Sequence, residues 1–319
     1  MRARCGEGDV TTPNQGTPRI SAVVVTYQSE RTIGRTLEAL RRCRDAGLLD
    51  CVVVDNDSRD GTAALLDAER GWSDIVLTGT NHGFGRGCNI GFARVSTPYT
   101  VFINPDAVVE PDAIRTLLRF IETRPNVGIV GPAILEGEPG ATAGLQAAGA
   151  RPTPGHLLRE ALPLLRPSPL ERPIEPGSPA WRAGWVCGAV FLVRTDLMRR
   201  LGGFDPRFFL YWEETDVCKR AEEAGFETWA VGEAVTRHVG GASSSADDTR
   251  VGGCIARHYY QSRFYYLAKH HGWLAAATVD AVEAMMNALR ALYDSMRGRG
   301  WSRLRPRLQA RLFSQPEQV

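Results

Sequence analysis

Residues 20–26 read ISAVVVT and residues 51–55 read CVVVD, two short β-branched runs that each end on a polar residue. Runs of this length and branching are the pattern of buried strands. Between them Ile33, Leu37 and Leu40 recur at helical spacing after Ser29 or Glu30, so the first strand feeds a helix and the helix feeds the second strand. Working outward, residues 62–68 read as another helix, 75–77 as a third strand and 101–103 as a fourth, which ends in Asn104, Pro105 and Asp106. The alternation predicts βαβ units: an α/β, Rossmann-like, mainly parallel sheet flanked by helices. Ligands collect beyond the C-terminal ends of such strands, which gives weight to polar residues directly after them.

From 136 to 183 the pattern breaks. Glycine is frequent at first, and Pro152, Pro154, Pro163, Pro167, Pro169, Pro173, Pro176 and Pro179 interrupt any long element. This part reads as an irregular, substrate-side insertion with one short helix at 156–165; a flexible linker is the bland competitor. Regularity resumes with a strand at 185–194, a helix at 214–224, a strand at 226–231 and helices over 254–296 with a pause near His271 and Gly272. The organisation expected is a flexible segment 1–19, a main domain 20–253 containing the insertion, C-terminal helices 254–296 and a basic tail 297–319.

Lys and Arg total 38 against 36 Asp and Glu, a formal charge of +2, so a disordered acidic chain and a highly basic nucleic-acid coat are both excluded. Seven scattered cysteines without a C-x-x-C pair fit reduced thiols rather than a disulfide framework or a thiolate zinc site. Residues 1–19 lack the apolar core of a signal peptide, and no apolar run approaches a spanning helix. Together these predict a cytoplasmic protein, with the inner face of the cell membrane as the alternative address.

Four groups can carry chemistry. Thr26, Tyr27 and Glu30 with Asp55 and Asn56 put a carboxylate and an amide at adjacent strand ends, where they can hold ribose hydroxyls and a base edge. The rest of DNDSRDGT (55–62) reads as an Asx turn and helix cap. There is no G-x-G-x-x-G after the first strand, which disfavours a dinucleotide loop. NHGFGRGCNIGF (81–92) is glycine-dense, allows close backbone approach, and offers Arg86 as a fork for a diphosphate, with a solvated Arg in a plain loop as the competing reading. It lacks the Lys-Ser/Thr ending of a P-loop. Asn104-Pro105-Asp106 places hard oxygens where Mg²⁺ or Mn²⁺ could be held, although the same triplet also starts helices. In FFLYWEETDVCKR (208–220), Glu213, Glu214 and Asp216 cluster beside aromatics, which raises a carboxyl pKa and suits a general base; acids at a helix N-terminus are also ordinary stabilisers. His238 follows a strand as a metal or phosphate ligand or a plain hydrogen-bonded histidine, and Trp185 and Trp212 could shape a sugar site or fill core.

Taken together, VVVTYQSE, VVVDNDSRDGT, NHGFGRGCNIGF, INPDAVV, WVCGAVFLVR, GGFDPRFFLYWEETDVCKR and His238 resemble, in order, the inverting glycosyltransferases of family 2, of the GT-A fold, particularly the rhamnosyltransferase-like branch. The resemblance spans roughly 20 to 270, with 136–183 matching loosely. It implies a dTDP- or UDP-linked sugar donor and a divalent cation, Mg²⁺ or Mn²⁺. Tyr27, Glu30, Asp55 and Asn56 would hold the nucleoside beside Thr26, and Arg86 would face the diphosphate. Asn104-Pro105-Asp106 stands where the family has Asp-x-Asp, so Asp106 and His238 would be the metal ligands. Glu214 matches the general base, with a Glu replacing Asp, and Trp185, Trp212, Glu213 and Asp216 would lie on the acceptor side. The implied reaction is inverting transfer, to a hydroxyl of a glycan, lipid-linked or small-molecule acceptor, of rhamnose or alternatively of galactose, glucose or an amino sugar, in cell-wall or polysaccharide synthesis. A catalytically silent binding scaffold is the competitor from another class. Tyr259, Tyr260, Phe264, Tyr265, Tyr266 and Trp273, followed by the arginine-rich tail, read either as a surface for an anionic membrane or as a core layer with a solvated tail. Nucleic acid is not an expected partner, and a homodimer is left open.

Overall fold

The computed structural model describes residues 18–137, 144–162, 171–239, 253–297 and Phe313. The leading segment 1–17 and most of the basic tail therefore lie outside the described residues. In chain order the elements begin with β1 (Ile20–Thr26), α1 (Ile33–Asp45), β2 (Leu49–Asp55), α2 (Thr62–Asp67), β3 (Asp74–Leu77), α3 (Phe84–Phe92) and β4 (Tyr99–Ile103). A short β5 (Ala107–Val108) leads to α4 (Pro111–Glu122) and the long β6 (Val127–Glu136). The region expected to be irregular carries β7 (Gly144–Leu145), β8 (Ala147–Gly149), α5 (Pro154–Ala161), β9 (Glu171–Pro173) and β10 (Trp181–Ala183). The chain continues with β11 (Val190–Arg194), α6 (Thr195–Arg200), α7 (Glu213–Glu223), β12 (Glu227–His238), α8 (Gly253–His271) and α9 (Trp273–Met296).

The main sheet runs β10-β12-β6-β11-β4-β1-β2-β3. Strands β1, β2, β3 and β4 pair in parallel, as expected, but β11 lies antiparallel between β4 and β6. The sheet is therefore mainly parallel with antiparallel strands mixed in, flanked by helices as expected. The strand expected at 185–194 starts only at Val190, and the preceding residues form a connection across the sheet end. The strand expected at 226–231 instead continues to His238. A register shift between Val231 and Val235 against β6 bends it, so that its end pairs with β5.

Alternation along β1 builds both layers. Ala22 and Val24 face a cluster with Ile33, Leu37 and Leu40 of α1 and Ile114, Leu117 and Ile121 of α4. Val23 and Val25 face Cys88 and Phe92 of α3, Leu197 of α6 and Val217 of α7. A third cluster joins Phe208 and Trp212 to Phe264, Tyr265, Tyr266 and Leu267 of α8 and Ala276 and Val279 of α9. The α8 aromatics are thus core or half-buried, which favours the packed-layer reading over a membrane-facing one for them.

Helix α3 explains much of the glycine-rich motif. A Cβ at Gly87 would lie 2.7 Å from Val25 Cγ1, and one at Gly91 would lie 2.6 Å from Val23 Cγ1. These glycines let the helix sit against β1, a packing role rather than the expected approach to a ligand. Gly91→Ala should destabilise the fold by about 1–3 kcal/mol. Gly34→Ala in α1, where an added Cβ meets nothing within 4 Å, should be neutral or stabilising by up to about 1 kcal/mol. Urea denaturation of the two variants checks the contrast.

Candidate active site

The in-register pairing of Thr26 with Asp55 puts both at the same end of adjacent strands. Thr26 Oγ1 donates to Asp55 Oδ1 at 2.8 Å, and the Ser58 amide donates to Asp55 Oδ2 at 3.0 Å, so the buried carboxylate is held in one orientation. Asn56 Nδ2 donates to the Gly83 carbonyl at 2.9 Å, while its buried Oδ1 makes no hydrogen bond. Tyr27 is 50% exposed beside them. Glu30 is engaged locally: its Oε2 accepts from the Gly61 amide at 3.0 Å, and its own amide donates to Asp60, so it braces the 58–62 turn.

Arg86 lies in the first turn of α3, half-buried, and makes no hydrogen bond or ion pair among the described residues. The turn before that helix is tight. Gly83 has φ +78°, and a Cβ there would come within 2.3 Å of the Phe209 carbonyl, which accepts from the Phe84 amide at 2.8 Å. Glycine is required at this one position of the motif both by conformation and by space.

At the end of β4, the Asn104 amide donates to the Ala189 carbonyl at 2.8 Å. Pairing of β5 with the bent end of β12 sets Ala107 opposite His238. This brings Asp106 Oδ1 to 2.8 Å from His238 Nε2. The separation is that of an ion pair, yet the buried nitrogen makes no hydrogen bond. Adjacent ligands on a small divalent ion are about 3 Å apart, so this oxygen and nitrogen fit a shared cation. Among the described residues no group of three or more His, Cys, Asp or Glu is arranged to hold a metal, so two protein ligands are what the pair offers. Across the ring, His238 Nδ1 lies 3.2 Å from Gln146 Nε2, which also donates to Glu136 Oε1 at 3.0 Å, while the Cys187 thiol donates to Gln146 Oε1.

The acidic segment opens α7. Tyr211 (φ 67°) and Trp212 (φ 71°) are both left-handed immediately before Glu213, a strained pair for bulky side chains. Burial raises the Glu214 pKa to about 7. Glu213 is more deeply buried; burial first, then the neighbouring Glu214 charge, push its pKa well above the ordinary range, and its Oε2 has no partner. Glu214 packs against Gly188, where a Cβ would lie 3.4 Å from its Cγ.

Residues 187–189 therefore touch all parts of the second half of the site. Cys187 bonds to Gln146 beside His238, Gly188 abuts Glu214, and Ala189 receives Asn104. Burial raises the Cys187 thiol to about 12, and the carboxylates of Glu214, Glu136 and Asp106 push in the same direction. Asp106 and Glu214 thus share one rim of the sheet. Gln146, Cys187 and Gly188 went unremarked in the sequence, because Gln146 lies in the loosely patterned insertion and the other two look like strand.

Two residues expected on the acceptor side are placed elsewhere. Asp216 is fully buried and bonds Arg220 at 2.7 Å, Lys269 at 2.6 Å and His270 at 2.7 Å. Burial works to raise its pKa, but the His270 hydrogen bond and the Arg220 and Lys269 charges outweigh it and hold the carboxyl below its ordinary value. Lys269 also reaches Asp205 at 2.8 Å, so this network fastens α8 to α7. Trp212 is buried against Tyr259 and Tyr266. Trp185 is half-buried beside the α3-side core.

The comparisons with known proteins agree with this architecture. Residues 18–251 match the model of the family described as glycosyltransferase like family 2. An N-acetylglucosaminyl-diphospho-decaprenol L-rhamnosyltransferase of Mycobacterium tuberculosis is 26% identical over 279 residues, covering 81% of this chain and 87% of its own. A low-salt glycan biosynthesis hexosyltransferase of Haloferax volcanii is 28% identical over 63% of this chain and 61% of its own. Among solved structures, a mannosyltransferase from Pyrobaculum calidifontis in complex with GDP-Man and Mn²⁺ superposes with a TM-score of 0.51 at 16% identity, covering 95% of this chain and 87% of its own, a likeness of fold.

Glu213→Gln should raise thermal stability relative to the parent at pH 8, by about 1–3 kcal/mol. The native state holds this proton above the ordinary value of 4.5 while the unfolded chain releases it, so stability is full below 4.5 and declines as pH rises above it. The variant should flatten that decline in melting curves taken across pH. Lys269→Met, which leaves buried Asp216 short of a partner, should cost about 3–5 kcal/mol in denaturant unfolding. The chain, by its family match over most of its length and its GT-A architecture, belongs to the glycosyltransferase like family 2, enzymes that transfer a sugar from a nucleotide-diphosphate donor to an acceptor.

Proposed function

We propose that this protein transfers a sugar, with rhamnose standing beside galactose, glucose and an amino sugar as candidates, from a dTDP- or UDP-linked donor to a hydroxyl of a glycan, lipid-linked or small-molecule acceptor, with inversion at the anomeric carbon. The observation that carries the transfer reading is the Asp106–His238 pair and the Glu214 carboxyl meeting around Cys187–Ala189 on one rim. Asp55, Asn56 and Tyr27 would hold the nucleoside at the β1 and β2 ends, and Arg86, free of protein partners among the described residues, would pair with the diphosphate.

Glu214 accepts the proton of the acceptor hydroxyl as the oxygen attacks the anomeric carbon from the face opposite the nucleotide. The new C–O bond forms as the bond to the diphosphate oxygen breaks, and the nucleoside diphosphate leaves with that electron pair. A divalent cation held by Asp106 and His238 would neutralise charge on the diphosphate. An imidazole ligand suits Mn²⁺ better than Mg²⁺, and mixed N/O donation supports manganese as the working ion.

The second reading concerns the sugar. A relative described as a rhamnosyltransferase and another described as a hexosyltransferase stand at similar identity, so galactose, glucose or an amino sugar competes with rhamnose. Released nucleoside diphosphate, measured over dTDP-rhamnose, UDP-galactose, UDP-glucose and UDP-N-acetylglucosamine, decides between them: preference for dTDP-rhamnose supports the first, and preference for a UDP-hexose replaces it.

Glu214→Gln should lower kcat about 100-fold or more while leaving nucleoside diphosphate affinity within about twofold, and parental turnover in this variant overturns the base assignment. In the parent, kcat/KM should climb through about pH 7 as the Glu214 carboxylate forms and level off above it. Chelation should abolish transfer and Mn²⁺ restore it, with Asp106→Ala requiring more Mn²⁺ for half-maximal rate.

A further inference from the structure

Helix α9 is built inside out. Its charged residues Asp280, Glu283, Arg290 and Asp294 are buried or half-buried, and its exposed positions from Trp273 to Met296 carry no charge at all. Arg263 of α8 bonds Asp280 and Glu283, and Arg290 donates to the Ala161 carbonyl of α5, so the polar face is spent on packing within the protein. Met285 (54% exposed), Leu289 (52%), Leu292 (58%), Tyr293 (52%) and Met296 (80%) look outward. At 3.6 residues per turn these five fall within an arc of about 100°, and Leu274, Thr278 and Ala281 continue the same face toward the start of the helix. An ordinary surface helix turns this stripe toward the core and its charges toward water.

We propose that the outer face of α9 docks on an anionic lipid surface, lying in the interface with the helix parallel to it. Charge selects this occupant over a second copy of the chain. The uncharged face ends at Arg297, and the sequence then carries Arg299, Arg303, Arg305, Arg307 and Arg311, with no Asp or Glu before Glu317. The exposed positions of α9 carry no acid, so a second copy packed on this face brings no counter-charge for the arginines that follow it, whereas anionic headgroups neutralise them. Trp301, Leu304 and Leu308 are interspersed among the arginines, the composition of a segment that anchors at a headgroup boundary. No described helix is long and apolar enough to cross a membrane, so the contact is one of lying on the surface. The docking face belongs to α9, not to the α8 aromatics, which are buried or half-buried.

Flotation of the full chain with vesicles tests this without any sugar transfer, so its outcome is independent of the proposed reaction. Mixed phosphatidylcholine–phosphatidylglycerol vesicles should bind the chain about tenfold or more tightly than phosphatidylcholine alone, with the difference shrinking at high salt. The double variant Leu289→Glu/Leu292→Glu, with circular dichroism confirming its fold, should lose about tenfold in partitioning. Should that variant misfold, Arg303→Gln/Arg305→Gln/Arg307→Gln provides a second arm, expected to lose a similar factor and most of the salt dependence. Equal binding to both vesicle types overturns the proposal, as does parental flotation of either folded variant. It is also overturned if sedimentation shows a dimer that Leu289→Glu/Leu292→Glu dissociates while vesicle binding stays unchanged.

Discussion

The antiparallel strand β11, wedged between β4 and β6, is the constraint on which the site depends. To enter the sheet in that direction, the chain must first cross the strand ends, and residues 187–189 make that crossing. Each residue in the crossing does something different. Cys187 meets the Gln146 that supports His238, Gly188 leaves room for Glu214, and the Ala189 carbonyl receives the amide of Asn104. A Cβ at Gly188 would stand in ordinary van der Waals contact with the Glu214 stem, 3.4 Å from its Cγ.

Two forms of stored cost surround this crossing. The Tyr211–Trp212 pair holds left-handed backbone that bulky residues ordinarily avoid, and Glu213 and Glu214 stand side by side in a poorly solvated place. Both are tolerated because the neighbouring structure is over-determined. Trp212 packs into the α8 aromatics, and Asp216, one turn on from Trp212, is clamped by Arg220, Lys269 and His270. The C-terminal helices thus brace the start of α7, which makes them part of what orients Glu214. The same helices leave an uncharged face outward, so one helical layer both braces the interior and presents an apolar surface to the outside.

The sequence was most legible where local pattern and tertiary role coincide. ISAVVVT and CVVVD are apolar on both strand faces, which lets them meet two cores at once, and their final Thr26 and Asp55 meet by register alone. Asp106 and His238, 132 positions apart, each read singly as a candidate metal ligand; their meeting comes from the Val231–Val235 register shift and the β5–β12 pairing, neither of which has a local signature. Glycine gave a mixed signal: at Gly83 it answers a positive φ and a passing carbonyl, whereas at Gly87 and Gly91 it answers valine side chains beneath the helix. Composition cannot tell those demands apart. Asp216 misled for a similar reason, since three acids within four residues look alike until burial and basic partners separate them.

Sequence by itself therefore determined the parallel β1–β4 core, the strand-end position of Asp55 and Asn104, and the acidic start of α7, because these follow from short-range periodicity and chain order. Only the tertiary structure decided the antiparallel insertion of β11, the burial of Asp216 among Arg220, Lys269 and His270, and the outward turn of the apolar face of α9. Each of those depends on which surface a residue meets after the chain has returned from far away, and hydrophobic periodicity reports that a face is apolar without saying what will cover it.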